Sequence, residues 1–294
     1  MYFRNSILFC LILFCLQASF SVYAQPQRFA GAASPYPIKF LLTFDDGPSA
    51  SWYQNPTEKI VEVLKTNSVQ NEIKAVFFTQ TRAKGAAGSD VGKQLLKRLH
   101  EADHILAFHT ATPGHSNHRS LSGTHLDASL EMGIADLTQI TGAAPEFVRP
   151  PFWSYDERTL RSYQQHHLGM ILTDLSANDG VIYVFNFSLR KRRNLLHMLA
   201  AMRSRWENGA LPQIDGATPI IVTFHDINRY TASHMDEYLN ILLDVAKELN
   251  IPTTSQPFYA DKEALRRATA IRVVDDAASS QNLPGIWNWW WGRM

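Results

Sequence analysis

Three observations predict an α/β fold built on a parallel sheet. Short runs of β-branched and aromatic residues alternate along the chain with longer segments whose apolar residues recur at helical spacing, the pattern of successive βαβ units. The 294 residues suffice for one large domain, because a single core serves chains of up to about 250 residues. With 45% hydrophobic residues, and 28 Lys+Arg against 27 Asp+Glu, the composition is that of a globular protein, neither disordered nor fibrous.

Taken in order, strands are predicted at residues 38–44, 74–79, 104–108, 147–149, 169–174, 220–224 and, as a short run, 251–254, about seven in all. Helical spacing fills the intervals at 56–66, 91–101, 126–140, 157–167, 195–206 and 234–249. Pro56 opens the first of these helices, where its missing N–H costs nothing.

The two ends differ from this core. Arg4 precedes an apolar run at 7–16, followed by small and polar residues and Val22-Tyr23-Ala24, the layout of a cleavable secretory signal over residues 1–24. A spanning helix needs about 20 apolar residues, so an uncleaved anchor is the lesser reading, and a secreted or periplasmic protein without a stable membrane span is expected. Both cysteines, Cys10 and Cys15, lie in that segment, which leaves the remainder without thiol or disulfide chemistry. A Pro-, Ala- and Ser-rich leader covers 25–37, the domain 38–259, and an extension 260–294 that ends in Trp287-Asn288-Trp289-Trp290-Trp291. Those aromatic faces are expected either to pack on the domain or to stack on sugar rings.

A phosphate-binding surface needs clustered Lys and Arg. The only dense basic run is Arg190-Lys191-Arg192-Arg193 at the start of a helical pattern, which reads as a solvated helix face. No nucleic-acid partner is expected.

Chemistry gathers at strand ends, where the loops of parallel α/β folds converge. The first strand runs into Thr43-Phe44-Asp45-Asp46-Gly47-Pro48. After the third come His109 and a Thr112-Pro113-Gly114-His115 turn that folds His115 back toward His109. Two imidazoles and one carboxylate make a three-ligand set that leaves a divalent metal an open position. His118, three residues on, is a rival to His115. The fourth strand ends in Arg149-Pro150-Pro151-Phe152, whose guanidinium suits holding a carboxylate ionised. The sixth ends in Thr223-Phe224-His225-Asp226, where a histidine can serve as a proton donor.

Taken together, Thr-Phe-Asp-Asp-Gly at 43–47, His-Thr at 109–110, Arg-Pro-Pro-Phe at 149–152 and His-Asp at 225–226 resemble the polysaccharide deacetylase family with the NodB homology domain, carbohydrate esterase family 4. The resemblance covers roughly residues 38–254, and Ala75-Val76-Phe77-Phe78 resembles the family's second strand. It implies a distorted (β/α) barrel of about seven parallel strands. It further implies a hydrolase that removes N-acetyl groups from an N-acetylglucosamine-containing glycan. The residue roles it implies are Asp46, His109 and His115 on a divalent metal, zinc first, Asp45 as base, His225 as acid, Arg149 pairing with Asp45, and the backbone N–H of Phe152 on the oxyanion. An O-acetyl esterase acting on xylan or a similar glycan, and a metal-containing glycan-binding protein, are the alternatives.

The chain departs from the family pattern in three places. Five residues, where the family usually has three, separate His109 from His115. The segment Ser176-Ala177-Asn178-Asp179-Gly180 stands where the family has Asp-x-x-Asp-Trp, so Asp179 keeps the second aspartate and Asp174 is the expected substitute for the first. Gly180 stands in place of that tryptophan and Thr223 in place of a leucine, so a wider, wetter acyl pocket is expected, unless Trp153, in place of a glycine, or another aromatic fills it.

Overall fold

The computed structural model describes residues 35–179 and 190–277. The predicted signal and the tryptophan-rich end lie outside the described residues. Eight strands form one sheet: β1 (Ile38–Asp45), β2 (Val76–Gln80), β3 (Ile105–Thr110), β4 (Phe147–Val148), β5 (Gly169–Met170), β6 (Leu175–Ser176), β7 (Thr218–His225) and β8 (Thr253–Phe258). Their order is β5-β4-β3-β2-β1-β7-β6, with β8 beside β1, and every pairing is parallel.

The two edges of that order are consecutive in the chain. β5 pairs with β4, and only four residues later β6 pairs with β7, so segment 169–176 bridges the opening and curls the sheet into the distorted barrel expected from the sequence. The predicted single strand at 169–174 is therefore two short strands. Between them Ile171 N–H still bonds Val148, whereas Asp174 N–H has crossed to Ile221. The predicted run at 251–254 is realised as β8, which pairs with the first half of β1 (Ile38 with Thr253), while β2 pairs with the second half (Thr43 with Val76).

Helices α1 (Pro56–Lys65), α2 (Asp90–Glu101), α3 (Gly123–Thr141), α4 (Glu157–Gln165), α5 (Lys191–Glu207) and α7 (Met235–Glu248) match the predicted ones, and α6 (Arg229–Ser233) and α8 (Lys262–Ala270) add to them. Asn55 caps α1 by accepting the Glu58 N–H, with Pro56 in the first turn. Asp261 caps α8, which buries Leu265, Ala268 and Thr269. Gly133 lets α3 lie against the sheet, because a Cβ there would fall 2.0 Å from the Phe108 ring.

Strand alternation divides the core in two. Phe40, Leu42 and Phe44 of β1 face the helices and join the larger cluster, with Phe44 stacked on Phe77 at 4.9 Å. Leu41 faces the barrel interior with Val76, Phe78, Ala107, Ile171 and Ile221. The next inward residues on β1 are Thr43 and Asp45, so the interior changes from apolar to polar toward the strand ends. Among the described residues, no helix is long and apolar enough to cross a membrane.

Candidate active site

The pairing of β1 with β7 sets Asp45 beside His225, and Thr43 beside Thr223 one layer below. Arg149 enters this layer from the end of β4 and is fully buried. Its Nη1 donates to Asp45 Oδ1 and to Thr43 Oγ1, each at 2.7 Å, its Nε to Ile171 O at 3.2 Å and its Nη2 to Leu172 O at 3.0 Å. The guanidinium lies over the Phe78 ring at 4.0 Å and the Trp153 ring at 5.1 Å. A buried cation with this many acceptors is fixed in place, and it fixes the Asp45 carboxylate with it.

Asp46 turns away from its neighbour because its backbone is left-handed, with φ 72°. Gln80 holds the turn, donating from Nε2 to Asp46 O at 3.0 Å and from its backbone to Gly47 O at 2.9 Å. His109 sits at a register slip: Thr79 pairs with Phe108 but Gln80 with Thr110, which leaves His109 as the extra residue of a bulge. Bulges re-aim side chains beside functional sites. A bend at 112–114 then returns the chain, as the Pro-Gly sequence predicts, and His115 Nε2 comes within 3.1 Å of His109 Nε2.

Asp46 Oδ1 completes the triangle, 3.2 Å from His109 Nε2 and 3.3 Å from His115 Nε2. Ligands about 2.0–2.1 Å from a tetrahedral zinc are separated by roughly 3.3 Å, so the three atoms suit such an ion. His109 Nδ1 lies 2.9 Å from Arg149 O, and donating its proton there leaves Nε2 with a free lone pair. Burial pushes the His115 imidazole down to about 4, against the opposing pull of Asp46, so it is neutral. Burial works to raise the Asp46 carboxyl, but the imidazoles of His109, His115 and His225 around it hold it below the usual carboxylate range. Asp46 Oδ1 is buried with no hydrogen-bond donor among the described residues, the condition of an oxygen that faces a cation.

His118 does not join this cluster. It is fully buried, stacks on Phe108 at 5.9 Å and meets the Tyr163 hydroxyl at 2.8 Å through Nδ1. Of the two rivals, the geometry brings His115 to the ligand set.

His225 Nδ1 lies 2.8 Å from Asp179 Oδ1, and His225 N–H donates to Asp179 Oδ2 at 3.0 Å. Thr231 and Asn228 donate to Asp179 as well. Burial works against protonation of His225, but the Asp179 charge and hydrogen bond push the imidazole up to about 10. Its Nε2 points toward Asp46, 3.9 Å from Oδ2.

Asp174, expected beside His225, is elsewhere. Its Oδ1 accepts from Arg272 Nη2 at 2.6 Å and its Oδ2 from Ile221 N–H at 2.8 Å. Alternation carries the 174 side chain toward the segment after α8, and Asp179, on the loop beyond β6, is the carboxylate that reaches the histidine.

Thr223 is fully buried, with its hydroxyl 2.9 Å from Thr43 Oγ1 and 2.8 Å from Thr173 Oγ1. It supports the polar layer beneath the site. Gly180, the other residue on which the expected wider pocket rests, lies outside the described residues. Phe152 has a left-handed backbone, φ 60°, and its ring stacks on His115 at 4.4 Å, a contact for which the sequence carries no local signal.

Residues 34–171, from before β1 to just past β5, match the polysaccharide deacetylase family. Over that stretch the chain is similar to this family. The matched stretch carries Asp45, Asp46, His109, His115, Arg149 and Phe152; His225 and Asp179 lie beyond it. The chain is 28% identical over 149 residues to a peptidoglycan-N-acetylglucosamine deacetylase of Bacillus cereus, covering 49% of this chain and 48% of that protein. It is 29% identical over 122 residues to a chitin deacetylase of Pestalotiopsis, covering 42% of this chain and 37% of that protein. The matches thus span about half or less of the length of these relatives. The chitin deacetylase of Colletotrichum lindemuthianum shares the fold, with a TM-score of 0.54, 21% identity and coverage of 76% of this chain and 88% of that one. The family 4 carbohydrate esterase of Streptomyces lividans shares it with a TM-score of 0.51 and 17% identity, over 78% of this chain and 100% of that one.

Proposed function

We propose that this protein is an exported, metal-dependent hydrolase that removes acetyl groups from N-acetylglucosamine units of a glycan. One juxtaposition carries the reading: the Asp46–His109–His115 triangle stands beside an Arg149-bound carboxylate on one side and an Asp179-bound imidazole on the other. A divalent cation held by the triangle, zinc by its two nitrogens and one oxygen, would supply Lewis acidity to the acyl oxygen and to a water molecule.

The chain's own residues perform the proton transfers. Asp45, aimed by Arg149, accepts the proton of the water whose oxygen bonds to the acetyl carbon. The Phe152 N–H donates to the acyl oxygen as negative charge develops there. His225, oriented by Asp179, gives its Nε2 proton to the amide nitrogen as the C–N bond breaks, so that acetate and a free amine leave. A glycan-binding protein without turnover would need neither the base pair nor the acid pair.

Acetate release from chitin oligomers, peptidoglycan and acetylated xylan tests this, with chelator, zinc re-addition and Asp45→Asn alongside. Release from an N-acetylated glycan that depends on both metal and Asp45 is the expected result. Release from xylan alone replaces the amidase reading by the esterase reading, and no release from any glycan by metal-loaded protein overturns both.

A further inference from the structure

Among the described residues, five large apolar side chains are exposed: Tyr36, Trp52, Tyr53, Phe152 and Val273. Three of them lie on the two loops that carry the site, Trp52 and Tyr53 after β1 and Phe152 after β4. Trp52 is 88% exposed and Tyr53 56%, with ring centroids 5.8 Å apart. Phe152 is accounted for by its stack on His115, whereas the first loop presents two aromatic faces that the chemistry at Asp45 and His225 does not use.

The backbone beneath these rings is built. Asn55 Nδ2 donates to Ser49 O and Ser51 O at 2.9 and 2.7 Å, the Ser51 hydroxyl donates to Tyr53 O at 2.8 Å, and Ala50 N–H bonds Gly85 O at 3.0 Å. Arg229, four residues past His225, reaches across to Ser51 Oγ at 3.1 Å and Tyr53 O at 3.3 Å. The loop is thereby tied to both strands that carry the base and the acid. Trp52 follows Asp46 by six positions, a reach of roughly 20 Å at most, enough for a few sugar rings.

We propose that Trp52 and Tyr53 form a stacking platform for the sugar rings of a glycan chain next to the ring that is deacetylated, so that the site prefers polymers to short fragments. The inference rests on the proposed deacetylase function. A pyranose ring presents a face of C–H groups, apolar and faintly positive, that complements the negative face of an aromatic ring, while its hydroxyls stay in water. An exposed aromatic pair on the loop that follows the strand carrying Asp45 suits that ligand. An apolar protein partner would call for a wider apolar patch around the pair.

The test compares the full chain with Trp52→Ala and Trp52→Phe on chitobiose and chitohexaose. Acetate release gives kcat/KM for each, and calorimetry in the Asp45→Asn background gives dissociation constants without turnover. The hexamer-to-dimer ratio of kcat/KM is expected to fall about tenfold in Trp52→Ala, through KM, and to recover in Trp52→Phe. Equal losses on both lengths, no loss at all, or a change of oligomeric state by light scattering in place of the length dependence would each overturn the platform. Turnover by the unmodified chain with no length dependence on Trp52 removes the platform and leaves the deacetylase reading. Trp52-dependent hexamer binding with no acetate release removes that reading and keeps the platform as a glycan-binding surface.

Discussion

Asp174 Oδ1 lies 2.6 Å from Arg272 Nη2, and both side chains are buried. Arg272 also donates to Pro219 O at 2.9 Å, so the pair staples the segment after α8 to the barrel. Removing one partner of a buried pair strands the other charge, at a cost of about 3–5 kcal/mol. Asp174→Asn is therefore expected to lower the melting temperature strongly while the pH profile of kcat stays in place. Asp179→Asn is expected to do the reverse, lowering kcat about 100-fold or more with a smaller loss of stability, because the imidazole loses its orienting carboxylate. Thermal melts and pH–rate profiles of the two variants check the division.

Arg149→Lys is predicted to fail despite keeping the charge. The guanidinium serves Asp45, Thr43, Ile171 and Leu172 from three nitrogens in one plane, and an ammonium cannot occupy those positions together. A loss of about 2–4 kcal/mol in urea unfolding, with at least a 100-fold fall in acetate release, is the expected result.

The sequence was most legible where structure is local and long. The run of β3 is buried continuously and those of β1 and β7 at all but one residue each, and the helix patterns extend for nine residues or more, so both announce themselves. Strands β4, β5 and β6 span two residues each and are defined by what they pair with, which no window of sequence contains. Of the overlooked helices, α8 does carry a legible signal, an Asp261 cap ahead of an apolar stripe, whereas α6 is only five residues long. The site followed the same rule. Motif order and the Pro-Gly turn pointed to Asp46, His109 and His115, but the Asp174–Arg272 pair spans 98 residues and the Phe152–His115 stack joins two loops. The Thr223 hydroxyl likewise meets those of Thr43 and Thr173, partners that its own segment of sequence does not announce.

The two histidines that competed as third ligand are separable by metal titration. Calorimetry of chelator-stripped protein with zinc is expected to show affinity lowered at least about 100-fold in His115→Ala. Phe152→Ala, which removes the ring stacked on His115, should weaken binding by a few fold, in line with the loss of an outer-shell contact. His118→Phe should leave zinc affinity in place and cost about 1 kcal/mol of stability through the lost Tyr163 hydrogen bond.

His104 gives the fold an acid sensitivity independent of the site. It is buried, accepts the Ala75 N–H at Nδ1 (3.2 Å), and burial, with Lys74 and Lys262 nearby, pushes its imidazole down to about 3. Because the folded value lies below the ordinary 6.5, the unfolded chain binds this proton first. The stabilisation is complete above about pH 6.5 and is lost progressively as the pH falls toward 3. Between pH 7 and pH 5 this one group accounts for about 2 kcal/mol of lost unfolding free energy. His104→Asn, whose side-chain oxygen offers the Ala75 N–H an acceptor that does not titrate, should reduce the acid-induced loss by about that amount. Urea unfolding of both proteins at the two pH values measures it, and an equal loss in the variant would place the acid sensitivity on other groups.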